Sequence, residues 1–186
     1  IFGIIFNIVI IFAQFSKKGV LTLGSIAGND VPHQWSKYQS TISYIPTISL
    51  KENILKHSLF DLEWSYQLQM DFSGDSLSKT IEKPYRVWAR YSNEKLEARL
   101  GLQKIIFGPT QILRPLSWFD SYDIKNPANE TNGVEALRLK WFSSKNNTLW
   151  TWLIKDNFNQ TSYGGRYEFL LPVGEIGLTI HSDPKN

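Results

Sequence analysis

The sequence predicts an all-β fold, an antiparallel sheet of the kind that spans a bilayer as a barrel, and three observations predict it. First, residues 60–72 alternate without an error. Phe60, Leu62, Trp64, Tyr66, Leu68, Met70 and Phe72 are apolar or aromatic, and Asp61, Glu63, Ser65, Gln67, Gln69 and Asp71 between them are polar. A strand sends successive side chains to opposite faces, so this segment has one apolar and one polar face. Second, it is long for a strand. At ~3.3 Å per residue it covers roughly 43 Å, and tilted at about 45° it projects about 30 Å, the thickness of a hydrocarbon core. Third, the connections between later strands alternate between short and long, as the periplasmic turns and external loops of membrane barrels do.

The chain has 186 residues, enough for one domain with a core. Its net charge of +3 comes from scattered Lys and Arg, so no nucleic-acid partner is expected. There is no cysteine. That excludes a disulfide framework, Cys-ligated zinc, a Cys nucleophile and a lipid-modified cysteine, and it suits a protein that crosses an oxidising compartment.

The elements follow in order. Residues 1–13, IFGIIFNIVIIFA, are almost wholly apolar. That is too short for a spanning helix, which needs about 20 residues, and fits the core of a leader, about 7–15. Residues 1–14 are therefore expected to be part of a signal peptide, and 15–40, with Gly24, Ser25, Gly28 and Asn29, a periplasmic linker. Residues 41–186 are expected to be barrel strands, the first half of a larger barrel, because the last strand finds no closing partner. Ile42, Tyr44, Ile48 and Leu50 alternate around Pro46 and predict a strand over 41–50. A long connection is expected at 73–83. Tyr85, Val87, Ala89 and Tyr91 then alternate with Arg86, Trp88 and Arg90, up to a turn at 92–95. Leu96, Ala98, Leu100 and Leu102 alternate with Glu97, Arg99, Gly101 and Gln103. After a very long connection (108–133), Leu137, Leu139 and Trp141 face away from Ala136, Arg138 and Lys140. Trp150, Trp152 and Ile154 follow, and a last hairpin sets Tyr167, Phe169 and Leu171, then Ile176, Leu178 and Ile180, against Arg166, Glu168 and His181. No segment sustains a 3.6-residue period, so no long helix is expected.

The stretch Leu100-Gly101-Leu102-Gln103-Lys104-Ile105-Ile106-Phe107-Gly108, then Leu113-Arg114-Pro115-Leu116-Ser117-Trp118-Phe119-Asp120, then Gly133-Val134-Glu135-Ala136-Leu137-Arg138, resembles porin-like outer-membrane β-barrel proteins of Bacteroidota-type bacteria. In those proteins a strand with a Gly-x-Gln-x-Ile pattern leads into a long loop rich in Pro and Asp, and the next strand opens with Gly-x-x-Ala-x-Arg. The resemblance covers roughly residues 60–182. It implies a bacterial outer-membrane location, outer-membrane lipid and the barrel-assembly machinery as partners, and passive or weakly selective passage of small polar solutes.

If the apolar faces meet lipid, the polar faces line a lumen. Glu63, Arg86, Arg90, Glu97, Arg99, Arg138, Lys140, Arg166 and Glu168 are then pore-lining, together with Asp61 and Asp71. Arg86, Arg90 and Arg99 gather around one hairpin as an anion-attracting element. The 108–133 connection is long enough to fold inward as a constriction with Arg114, Trp118 and Asp120 toward the pore. No enzyme, cofactor or metal is expected. His33, His57 and His181 lack ligand spacing, and there is no G-x-S-x-G, P-loop or dinucleotide fingerprint. Two alternatives stand beside the channel. One is a secreted antiparallel β-sandwich that binds carbohydrate through Trp64, Trp88, Trp150 and Trp152. The other is a structural or adhesive barrel with a blocked lumen.

Overall fold

The computed structural model describes residues 14–29, 36–105, 133–155 and 160–182. Nine strands fall in them: β1 (Gln14–Ala27), β2 (Tyr38–Leu55), β3 (Ser58–Ser73), β4 (Ser76–Asn93), β5 (Leu96–Gln103), β6 (Val134–Phe142), β7 (Asn147–Lys155), β8 (Thr161–Leu171) and β9 (Gly174–Ser182). They pair in chain order, each antiparallel to the next, as a single sheet. No second sheet packs on it among the described residues, so the layered sandwich of the carbohydrate-binding alternative is not seen. The sheet is not closed: β1 and β9 are its two edges. Nine is odd, so these edges run in the same direction and would meet each other only as a parallel pair.

Four short turns join the strands at one end, 56–57, 94–95, 143–146 and 172–173, and all lie within the described residues. The turns form where local chemistry closes them. Asn93 Oδ1 accepts from the backbone N–H of Lys95 at 2.9 Å and of Leu96 at 2.8 Å, an Asx turn that fixes the β4–β5 register. At the other end the connections 28–37, 104–133 and 156–160 are longer, and only 74–75 is short.

Alternation dictates what each face carries. One row of directly opposed residues on the outer face reads Phe15, Leu50, Leu62, Ala89, Leu100, Leu137, Leu153, Tyr163 across eight strands. The adjacent row, on the inner face, reads Gln14, Lys51, Asp61, Arg90, Arg99, Arg138, Trp152, Gly164, His181 across all nine. The polar face is the buried one. Asp61, Ser65, Gln67, Gln69, Arg86, Gln103, Arg138 and Arg166 are all buried, while Leu62, Trp64, Leu68, Met70, Leu100 and Leu153 are exposed. A flat single sheet would expose both faces alike, so this asymmetry marks the polar face as concave.

Four expectations are corrected. Residues 15–40 are not simply a linker, because Gln14–Ala27 pairs with β2 along its whole length. As an edge strand with both faces exposed it needs little side-chain packing, and Lys17 and Gly19 dilute its apolar face. Its presence also gives β2 the strand direction that a first strand at 41–50 would lack. Residues 73–83 are not a long connection: Ser73 pairs with Ser76 across a turn at Gly74, whose φ of 60° suits glycine, and β4 starts there. Tyr85 does not face outward. Ser65 pairs with Arg86 and Tyr66 with Pro84, so Tyr85 is the extra residue of a bulge and is buried beside Arg86. Finally, Trp150, Trp152 and Ile154 lie on the inner face, opposite Lys140, Arg138 and Ala136. The expected leader lies outside the described residues except for Gln14, the first residue of β1.

Candidate functional site

Among the described residues, the buried charged side chains Asp61, Arg86, Arg138 and Arg166 all lie on the inner face of β3 to β9. All eleven residues expected to line a lumen stand on it: Asp61, Glu63, Asp71, Arg86, Arg90, Glu97, Arg99, Arg138, Lys140, Arg166 and Glu168. Arg114, Trp118 and Asp120 lie outside the described residues.

The structure joins most of these charges into two networks. In the first, the Arg90 guanidinium donates to both oxygens of its cross-strand partner Asp61, from Nε at 2.9 Å and Nη2 at 2.5 Å. Its Nη1 reaches Glu97 Oε2 at 3.5 Å. Glu97 Oε1 accepts from Arg138 Nη2 at 2.6 Å and lies 3.9 Å from Arg99 Nη2. Register explains why one carboxylate serves three guanidiniums. Arg90, Arg99 and Arg138 are directly opposed on β4, β5 and β6. Like charges directly opposite repel, and Glu97, one position toward the short turns on the middle strand, is the anion within reach of all three.

The second network spans β7 to β9. Arg166 Nε donates to Glu168 Oε1 at 2.5 Å and Nη1 to Thr179 Oγ1 at 3.0 Å. Trp150 Nε1 donates to Glu168 Oε2 at 2.8 Å, and Trp152 Nε1 to His181 Nδ1 at 3.3 Å. Buried indole N–H groups find acceptors here, as they must.

Aromatic rings also take up several of these cations. Lys140 Nζ sits 3.4 Å from the centroid of Trp150 and Arg138 5.4 Å from it. Arg99 lies 4.3 Å from the centroid of Trp88. Cation–π contacts at such distances are worth about 0.5–2 kcal/mol each. A polar ladder continues along β3, from Gln67 Nε2 to Gln69 Oε1 at 3.0 Å and from Gln69 Nε2 to Asp71 Oδ1 at 2.9 Å. Near the long connection the inner face turns apolar, with Ile105, Ala136, Trp150, Trp152 and Ile154 in one cluster.

Sequence reasoning brings together Arg86, Arg90 and Arg99, and the structure does place Arg90 opposite Arg99. It misses the inner tryptophans of β7. The signal was present: the hairpin closing at 143–146 pairs Phe142 with Thr148. That register puts Trp150 opposite Lys140 and Trp152 opposite Arg138, on the charged face. The four tryptophans of the carbohydrate-binding alternative do not share a surface, since Trp64 is exposed on the outer face and Trp150 and Trp152 are buried on the inner one. Among the described residues no group of three His, Cys, Asp or Glu could hold a metal ion. No helix among them is long and apolar enough to cross a membrane, which says nothing of strands. Comparison with known protein families, curated protein sequences and solved structures found no match.

Proposed function

We propose that this chain forms wall strands of a porin-like β-barrel in a bacterial outer membrane, of the kind its motifs resemble, and that it serves passive or weakly selective passage of small polar solutes. The observation that carries the proposal is the inversion of burial. Ile42, Leu62, Trp64, Leu68, Met70, Leu100, Leu137, Leu139, Trp141 and Leu153 are each at least 37% exposed on one continuous face. Full burial of such a side chain is worth about 1.5–3 kcal/mol, so these alone forgo roughly 10 kcal/mol in water. That is of the order of a whole domain's net stability, about 5–15 kcal/mol. Lipid on the apolar face and water on the charged face remove the conflict. The strand lengths agree: β5 to β9 have 8, 9, 9, 11 and 9 residues, close to the span of about 9–11 for a tilted membrane strand. In this arrangement β2, β3 and β4, at 18, 16 and 18 residues, project beyond the bilayer at the end away from the short turns.

One observation favours the blocked-lumen reading: the apolar inner cluster around Trp152 and Ile154, each 2% exposed, fills part of the concave side. A single experiment separates the readings. The full chain is folded into zwitterionic lipid bilayers, its folding checked by heat-modifiable gel migration, and single-channel current recorded. Discrete conductance steps support passage. Heat-modifiable folding without current supports the structural barrel. A chain that is monomeric and folded without detergent refutes both.

A further inference from the structure

We infer that the inner face carries a binding site for a small oxyanion, a phosphate-, sulfate- or carboxylate-bearing solute, built around Arg99. This deepens the proposed passage reading by naming the class of solute, and its role as a solute site rests on that reading. The geometry itself needs only the concave face.

The first observation is a cavity of about 300 Å³ on that face, between β1 and β5. Lys18, Arg86, Arg99 and Lys104 contribute to its wall, with Glu63 as their acidic counterpart and Trp88 beside them. Leaving Arg86 aside, three cations stand against one carboxylate among the described residues of that wall, in a partly enclosed space where counter-charge is drawn in and poorly screened. Glu63 is itself held loosely, 3.9 Å from Lys18.

The second observation is independent of charge counting. Arg99 has five N–H donors, its side chain is only 17% exposed, and it donates no hydrogen bond among the described residues. Its Nε is buried without a partner. Its contacts are the Trp88 ring at 4.3 Å and the far edge of Glu97 at 3.9 Å, a carboxylate already committed to Arg138 and Arg90. Arg138, with a side chain 9% exposed, likewise has a buried Nε without a partner. Leaving the donors of a charged group unmade costs more than the same omission in a neutral one.

The two observations meet at one group. The indole of Trp88 holds the Arg99 guanidinium, and its planar fork borders the cavity. A guanidinium matches the paired oxygens of a carboxylate or phosphate, and Lys18 and Lys104, which also line the cavity, add point charge. Because Lys18, Glu63, Arg86, Trp88 and Arg99 all stand on the polar face, the ligand comes from the aqueous side rather than from a lipid headgroup.

The test uses the full chain folded in zwitterionic detergent in a chloride-free buffer. Inorganic phosphate is titrated and its ³¹P line width followed, with sulfate as competitor. One saturable site is expected. Arg99→Gln should weaken it by about tenfold or more, Lys104→Gln by several-fold, and Lys145→Gln, in the exposed β6–β7 turn, should leave it unchanged. No saturable binding by the folded protein, or equal binding by Arg99→Gln, overturns the inference. Should Arg99→Gln fail to fold, Lys104→Gln decides, and unchanged binding there also overturns it. Displacement of phosphate by anionic lipid micelles but not by sulfate would overturn the solute assignment. Conductance recorded on the same preparation keeps the two proposals apart. Phosphate binding without current preserves the site and ends the passage reading, and current without phosphate binding does the reverse.

Discussion

Glu97→Gln should destabilise the folded chain by about 2–4 kcal/mol, a far larger effect than one carboxylate on a strand ordinarily has. The magnitude follows from position. Glu97 Oε1 lies 2.6 Å from Arg138 Nη2 and 3.9 Å from Arg99 Nη2, and Oε2 lies 3.5 Å from Arg90 Nη1. A unit charge pair at 4 Å interacts by about 4 kcal/mol at an effective dielectric of 20, before desolvation is subtracted. Removing one partner of a buried pair typically costs about 3–5 kcal/mol because the other charge stays buried and uncompensated. Glu97 is 14% exposed and the glutamine amide oxygen can still accept from Arg138, so the value falls toward the lower end. What remains is three arginines in direct register, of which Arg90 alone is shown bonded to Asp61. A double-mutant cycle isolates that repulsion. Adding Arg99→Gln to Glu97→Gln should recover about 1 kcal/mol or more relative to additivity. The assay is urea unfolding in detergent followed by tryptophan fluorescence, comparing midpoints at unchanged slope. A loss below about 0.5 kcal/mol for Glu97→Gln, or additivity within about 0.5 kcal/mol in the cycle, would refute the role of Glu97 as the shared anion.

Three further outcomes follow from named contacts. Leu137→Arg, in the middle of the outer apolar row, should cost about 2–4 kcal/mol in lipid vesicles. If that face met water the same change at a residue already 37% exposed would stay within about 0.5 kcal/mol, so denaturant midpoints in vesicles distinguish the two surroundings. Gly101→Ala should lose about 2 kcal/mol or more, since Gly101 has φ of 120° and a Cβ would collide with the Val87 carbonyl oxygen, whereas Gly24→Ala, in open space, should be within about 0.5 kcal/mol. Gly164→Ala places a methyl 2.7 Å from Trp152 Cζ2 and 2.6 Å from the Ile180 carbonyl oxygen. It should displace the indole from His181 and erase its near-ultraviolet dichroism, and an unchanged aromatic spectrum would show that the ring does not rest on that glycine.

How much of this was legible in the sequence depends on how strictly each segment alternates. β3 is legible throughout because its polar positions are all polar and its apolar positions all apolar. The meander order is legible because Asn93 and the 143–146 segment mark turns too short for anything but a hairpin. β7 is ambiguous, since Leu149 and Leu153 compete with Trp150, Trp152 and Ile154 for the apolar phase, and only the register of the preceding turn decides. Residues 76–83 are mixed on both faces because that hairpin is wet on both. β1 hides for another reason: an edge strand is held by its ladder to β2, and hydrogen bonds of the backbone leave no trace in side-chain pattern. The bulge at Tyr85 is silent too, because one inserted residue shifts the phase without changing composition.

The inner face shows what alternation alone cannot convey. Side chains lie flat along it where a neighbouring strand lacks a Cβ: Trp152 rests across Gly164, and the Arg166 guanidinium occupies the place where a Gly177 side chain would stand. A tryptophan or arginine that lies along the sheet covers polar backbone and meets partners two strands away, as Trp152 meets His181. The same residue standing upright would project toward the middle of the concave side. Glycines at these register positions therefore keep the charged layer thin, and in the proposed channel a thin layer would leave the concave side open to water. Small residues scattered through β8 and β9, which weaken the strand signal in the sequence, are in this view part of the polar face's design: they set how far its largest side chains reach inward.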